Sequence, residues 1–146
     1  MNKIKAITKN KKISICIIGC VIIGSVFLMG IWSSSLEINR FNIKSEKIPE
    51  AFDGFRIVQV SDLHNAEFGK ENKLLLQSVV DARPDIIVIT GDIIDSRRTN
   101  INRAVHFADR AVKIAPVYYV NGNHESRLSD TEYKRLMEGL ESAGVT

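Results

Sequence analysis

Asp85-Ile86-Ile87-Val88-Ile89-Thr90-Gly91-Asp92-Ile93-Ile94-Asp95 is an apolar run followed at once by a glycine and two carboxylates. The mostly β-branched residues 85–90 are apolar on both faces, the pattern of a central parallel strand. A side chain just past the carboxyl end of such a strand enters the crevice where α/β sheets bind their ligands. The same design recurs on either side. Residues 55–60 (Phe-Arg-Ile-Val-Gln-Val) run into Ser61-Asp62-Leu63-His64, and residues 117–120 (Val-Tyr-Tyr-Val) run toward Gly122-Asn123-His124-Glu125.

Helical patterns separate the three strands. Residues 70–82 place Leu74, Leu75, Leu76 and Val79 toward a core. That helix is expected to end before Pro84, since the residue preceding a proline disfavours helical geometry. Residues 100–113 carry Ile101, Val105, Ala108 and Val112 at three- or four-residue spacing, a one-sided helix. Ser129 or Asp130 is placed to cap a last helix reaching about residue 140, with Glu132 in its first turn. The order β-α-β-α-β-α with short connections predicts an α/β fold built on a parallel sheet with right-handed crossovers. Residues 143–146, Ala-Gly-Val-Thr, read as the entry into a further strand, so the domain is expected to continue past them.

The amino-terminal region has a different character. Residues 1–12 form a basic tail of five lysines and no acid, and residues 13–32 contain no charge. Twenty helical residues at about 1.5 Å each span about 30 Å, the thickness of a bilayer's hydrocarbon core. This predicts one transmembrane signal anchor over 13–32, the tail in the cytoplasm and the rest outside the plasma membrane. A cleaved signal peptide competes, because Ser33-Ser34-Ser35 permits cleavage, but its apolar region usually spans about 7 to 15 residues. Lipid modification of Cys20 in Ile17-Ile18-Gly19-Cys20 ranks lower, since a long apolar stretch would remain after it. Residues 33–54 read as a linker with an edge strand, from the partial alternation of Leu36, Ile38, Phe41 and Ile43.

Charge and cysteine usage narrow the function classes. Removing residues 1–32 takes away five of the 20 basic residues and none of the 17 acidic ones, leaving −2. No concentrated basic face remains, so nucleic acid is not an expected partner. Cys16 and Cys20 both lie in the apolar run, which leaves the outer portion without a disulfide or a thiolate zinc site.

The polar clusters carry hard donors. Asp62 and His64, two apart with Leu63 turned into the core, can converge on one ion. Asp92 offers a carboxylate able to bridge two metals, and Asn123 offers a neutral amide oxygen. His124 suits proton donation or stabilisation of a phosphoryl oxygen, with Glu125 expected to fix its tautomer. Gly91 and Gly122 keep the backbone slim where these loops turn. Singly, each cluster reads as ordinary turn chemistry. Three of them after three strands read as a metal site.

The set resembles the metallophosphoesterase superfamily typified by calcineurin and the purple acid phosphatases, whose pattern runs D-x-H, G-D-x-x-D, G-N-H-[D/E], then an isolated His and G-H-x-H. The first three blocks are matched in order, 30 residues from Asp62 to Asp92 and 31 from Asp92 to Asn123. The likeness covers about residues 55–144, and the amino-terminal anchor is similar to that of the bacterial membrane-anchored branch. It implies that residues 55–146 are a partial domain, the first half of an αββα sandwich. It further implies two divalent ions (manganese, iron or zinc), with Asp62 and His64 on the first, Asp92 bridging and Asn123 on the second. His124 becomes the catalytic histidine, with Asp95 and Glu125 in support. The implied reaction is in-line attack on phosphorus by a metal-bound hydroxide.

The later blocks would add three imidazoles, but the chain holds only three histidines in all. It is therefore expected to hydrolyse a phosphomonoester or phosphodiester poorly by itself, while the intact protein does so. A lipid-linked or cell-envelope phosphoester at the membrane is the expected substrate class, from location alone. The competing reading is a binding or structural protein that keeps the fold without catalysis. A metal-independent nucleotide-binding domain is disfavoured, because no Gly-rich loop follows the first strand. His106 reads as a half-exposed helix histidine, and Arg97 and Arg98 as solvated loop residues.

Overall fold

The computed structural model describes residues 18–21, 24 and 36–146. The chain divides into two compact units, Met1–Glu37 and Ile38–Thr146. In the first, residues 18–21 and 24 are helical. The basic tail and most of the expected anchor over 13–32 lie outside the described residues. Among the described residues, no helix is long and apolar enough to cross a membrane.

The second unit alternates strands and helices: β1 (Ile57–Val60), α1 (Lys73–Ala82), β2 (Ile86–Thr90), α2 (Ile101–Ala111), β3 (Val117–Val120) and α3 (Asp130–Ser142). Single 3-10 turns occupy Glu50–Phe52, Lys70–Asn72 and Glu125–Arg127. The three strands are parallel in the order β1-β2-β3, with Val60 opposite Ile89 and Ile89 opposite Tyr119. Right-handed crossovers that step one way across a sheet place their helices on one face. Burial follows suit, for Val60, Ile87, Ile89 and Val117 are enclosed while Ile57, Tyr118 and Val120 are open. Phe107, Leu136 and Leu140 complete the core from α2 and α3, and Leu63 turns into it as its spacing predicts. Each such buried side chain contributes about 1.5–3 kcal/mol.

Helix ends are set by local chemistry. Arg83 ends α1 in left-handed geometry just before Pro84. Ser129 and Glu132 form a reciprocal capping box at the start of α3. At its other end Gly144, at φ +89°, donates to the Glu141 carbonyl, and Val145 donates to that of Leu140, a Schellman closure. The chain then reaches Thr146, whose N–H donates to Val117 and whose carbonyl accepts from Tyr119. This is a parallel bridge to β3, the strand entry expected of residues 143–146. Ser129→Ala is expected to lower stability by about 1 kcal/mol in urea unfolding, and no change would deny the cap its role.

Two expectations need correction. Residues 36–44 form no strand, and Ile38, Phe41 and Ile43 are exposed. Alternation prepares a strand, but a strand forms only where its backbone joins a ladder, and residues 36–44 join none of the described strands. Leu74 is also exposed, at 61%, while Leu75, Leu76 and Val79 form the buried stripe. Left-handed Glu71 and Asn72 delay α1 to Lys73, and buried Asn72, Leu75, Leu76 and Val79 share one face that leaves Leu74 outside it.

Acid should weaken this unit. Bonds from Ser129 hold the Glu132 carboxyl below its ordinary 4.5, and the Lys113 ammonium holds Asp109 below 3.8. Their stabilisation is complete above those ordinary values and is lost as pH falls through the lower folded ones. The melting temperature is expected to drop between about pH 5 and pH 3, and to drop less in Asp109→Asn/Glu132→Gln. A drop of the same size in the double variant would contradict this.

Candidate metal centre

All three polar clusters meet at the carboxyl end of the sheet. The loop after β1 is zipped onto the loop after β2, with His64 N–H donating to the Asp92 carbonyl (2.8 Å) and Asn65 N–H to that of Ile93 (3.1 Å). Asp62, His64, Asn65 and Asp92 all take left-handed backbone geometry, with φ between +46° and +58°. Non-glycine residues in this region cost about 1–3 kcal/mol each and persist where surrounding bonds over-determine them.

Gly91 and Gly122 have the slimness expected of them. A Cβ on Gly91 would lie 2.5 Å from the Gly122 Cα, and one on Gly122 would lie 2.2 Å from Asp92 Oδ1. Asp92 is buried, and its Oδ1 accepts the His124 N–H at 2.9 Å. Its Oδ2 lies 3.9 Å from His64 Nε2, and that nitrogen lies 3.7 Å from Asp62 Oδ1. The Asp62 side chain is open to solvent and accepts a hydrogen bond from the Ser61 hydroxyl. The His64 and His124 rings meet edge to face with centroids 4.5 Å apart. Donor atoms of His64, Asp92 and His124 all lie within 4.8 Å of one another. Asn123 is exposed between Gly122 and His124, and its carbonyl accepts from the Ser126 hydroxyl.

This donor set fits a divalent cation. Two ligands on one ion, each at about 2.1 Å, stand at most about 4.2 Å apart. The Asp62–His64 and His64–Asp92 separations of 3.7 and 3.9 Å meet that limit. Carboxylates converging with imidazole nitrogens supply the oxygen and nitrogen donors suited to manganese, iron or zinc.

The surroundings of His124 differ from the expected ones. Glu125 does not orient the neighbouring imidazole. Its fully buried carboxylate accepts backbone N–H groups of Asp92 (2.8 Å), Gly122 (2.8 Å) and Ile94 (3.2 Å), tying the second and third loops together. The side chain points back beneath the loops because those three amides have no strand partner there and an ionised carboxylate accepts several donors at once. His124 Nδ1 instead accepts the Ser96 N–H at 3.1 Å, with the Ser96 hydroxyl at 3.2 Å and Asp95 Oδ1 at 3.6 Å. A neutral imidazole that accepts at Nδ1 carries its proton on Nε2.

Asp95 bonds within its own loop. Its carboxylate accepts the Arg97 N–H, which holds it below the usual carboxylate range, and the nearby imidazoles of His124 and His64 act the same way. Burial pushes the Tyr119 hydroxyl well above its ordinary value, reinforced by the negative charge of Glu125. His106 sits on α2, half-exposed, 3.8 Å from Glu71 and apart from the centre. Sequence reasoning missed Ser96 and Asn65, whose hydrogen bonds to the centre's loops join residues far apart in the chain and leave no periodic signal.

The calcineurin-like phosphoesterase family model matches residues 55–144, from just before β1 to the end of α3. An uncharacterized metallophosphoesterase of Bacillus subtilis, YkuE, is 42% identical over 66 residues, covering 44% of this chain and 23% of the relative. A zebrafish (Danio rerio) transmembrane protein with metallophosphoesterase domain is 32% identical over 105 residues, covering 70% of this chain and 24% of the relative. A second Bacillus subtilis protein, the uncharacterized metallophosphoesterase YkoQ, is 29% identical over 115 residues, covering 77% and 42%. The chain thus spans only a quarter to two-fifths of the length of these relatives. With three strand-end clusters gathered into one donor set and the family model matched across the whole β-α-β-α-β-α unit, the chain belongs to the calcineurin-like phosphoesterase family.

Proposed function

We propose that this chain is the amino-terminal part of a membrane-tethered, metal-dependent phosphoester hydrolase. The meeting of His64, Asp92 and His124 donor atoms within 4.8 Å of one another, with Asp62 3.7 Å from His64, carries the reading. In it, Asp62 and His64 would hold a first divalent cation and Asn123 a second, with Asp92 available to both. Such cations supply Lewis-acid charge at the phosphoryl oxygens and an activated water. Within the chain, Asp92 uses one carboxylate oxygen to hold the His124 backbone and keeps the other for the ions. His124, protonated on Nε2, donates to a phosphoryl or leaving oxygen, and the Ser96 N–H steadies its other nitrogen.

The open sheet face bearing Ile57, Tyr118 and Val120 supports a second layer in the longer protein, as an αββα sandwich requires. The uncharged run 13–32 and the relatives described as transmembrane proteins support membrane association, and the five lysines of residues 1–12 favour an anchor that leaves the catalytic portion outside the plasma membrane. A lipid-linked or envelope phosphoester fits that placement.

Hydrolysis of bis(p-nitrophenyl) phosphate and p-nitrophenyl phosphate by the complete protein, with Mn²⁺ added or chelated, tests the reading. Activity is expected to require the cation and to fall on the order of 100-fold or more in Asp92→Asn, beyond the loss typical of an outer-shell change. Activity indifferent to chelation, or equal in Asp92→Asn, would remove the metal-dependent mechanism. A complete protein that binds Mn²⁺ but hydrolyses neither ester would favour a binding role.

A further inference from the structure

Asn65 follows His64 and lies outside the donor set, yet its side chain makes three hydrogen bonds to a single segment. Oδ1 accepts the backbone N–H of Asp95 and that of Asn100, each at 3.0 Å, and Nδ2 donates to the Asn100 carbonyl at 3.0 Å. Arg103 secures the same residue from α2, donating to the Asn65 carbonyl at 2.6 Å while pairing with Glu67 at 3.0 Å. The residue is buried and sits at φ +58°, a left-handed backbone that asparagine tolerates better than most. Only an amide can accept twice and donate once from this position. A carboxylate would accept the two N–H groups and turn a lone pair against the Asn100 carbonyl.

The clamped segment, residues 95–100, presents the Ser96 N–H to His124 Nδ1 and holds the Asp95 carboxylate 3.6 Å from that nitrogen. We infer that Asn65 is a positioning residue for the His124 imidazole. By fastening residues 95–100 to the His64 loop, it keeps the Ser96 N–H on Nδ1 and so keeps the ring proton on Nε2. The ligand carboxylates do not depend on it, because the His64–Asp92 backbone bond and the Asp92–His124 bond are made without the Asn65 side chain. Loss of Asn65 should therefore disturb the imidazole and spare cation binding. The catalytic consequence rests on the proposed hydrolase reading, whereas the tautomer does not.

The direct test is a long-range ¹H–¹⁵N spectrum of histidine rings in the metal-free full chain at about pH 8.5, where a free imidazole is neutral. The His124 signal is identified by its loss in His124→Gln. The wild-type chain is expected to show one tautomer, protonated on Nε2. Asn65→Gly removes the side chain and still accommodates the left-handed backbone, and it is expected to show a mixture of both tautomers. Asn65→Asp, which keeps both acceptor bonds, is expected to restore the single form. Asn65→Ser, too short to reach both amides, is read in the same way if the glycine variant does not fold. In assays of the complete protein with Mn²⁺, kcat of Asn65→Gly is expected to fall about 10- to 100-fold, with KM and Mn²⁺ affinity changed less than about threefold. A wild-type His124 signal in the folded glycine or serine variant would overturn the inference. Mixed tautomers in a protein whose wild type hydrolyses no phosphoester would leave Asn65 in its positioning role and defeat the hydrolase reading instead.

Discussion

Glu125→Ala is expected to lower the stability of the second unit by about 4 kcal/mol, a large share of the roughly 5–15 kcal/mol that holds a domain of this kind together. The carboxylate is fully buried and accepts the N–H groups of Asp92, Ile94 and Gly122. Its removal strands three donors, and a buried unsatisfied donor costs about 1–3 kcal/mol. Relaxation and entry of water recover part of the total. Glu125→Gln keeps the volume and one accepting oxygen but turns an NH₂ group toward an amide, so roughly half the loss is expected. Urea unfolding of both variants measures the difference. A loss below about 1 kcal/mol in the alanine variant would show that the carboxylate does not hold the loops.

Gly122→Ala acts on the same junction from the opposite side. The added Cβ would fall 2.2 Å from Asp92 Oδ1 and 2.4 Å from its backbone nitrogen. Asp92 cannot withdraw freely, since Glu125 holds its N–H and its own carboxylate holds the His124 N–H. A displacement of about 1 Å at a reacting centre costs on the order of 100-fold in rate. A loss of that size or greater in Mn²⁺-dependent hydrolysis is expected, with a stability loss of about 1–3 kcal/mol from overpacking. Gly54→Ala is the control: it too has positive φ, but nothing lies within 4 Å of the added carbon. It should cost backbone strain alone and leave activity and cation affinity unchanged. Equal effects at Gly54 and Gly122 would mean that contact with Asp92 is not the cause.

The strands were legible because short runs rich in β-branched and aromatic residues end abruptly at Ser61, Gly91 and Asn121. The helices were legible through boundary chemistry: Pro84 after α1, and the Ser129 and Glu132 pair before α3. Periodicity misplaced Leu74, since three adjacent leucines leave the centre of the stripe open, and buried Asn72 and Val79 fix it on Leu75 and Leu76. The edge strand over 36–44 failed for a related reason: alternation describes one chain, and pairing needs two.

At the site, residue types and spacing named the donors that the sheet then gathers. The supporting bonds were out of reach. Glu125 stands beside His124 in the sequence, but its carboxylate turns toward amides over 30 positions upstream. Asn65 likewise bonds to residues 30 and 35 positions away. Such bonds are decided by how loops cross at a sheet edge, and neighbouring residues carry no record of that crossing.

Anomalous diffraction at the manganese edge, from crystals of the complete protein grown with Mn²⁺, most directly tests whether the three strand-end loops build a cation centre. A peak is expected within about 2.0–2.3 Å of a donor atom from each of Asp62, His64 and Asp92. It should disappear or weaken strongly in Asp92→Asn. A peak that avoids these residues, or none at saturating Mn²⁺, would contradict the metal centre and the hydrolytic role built on it.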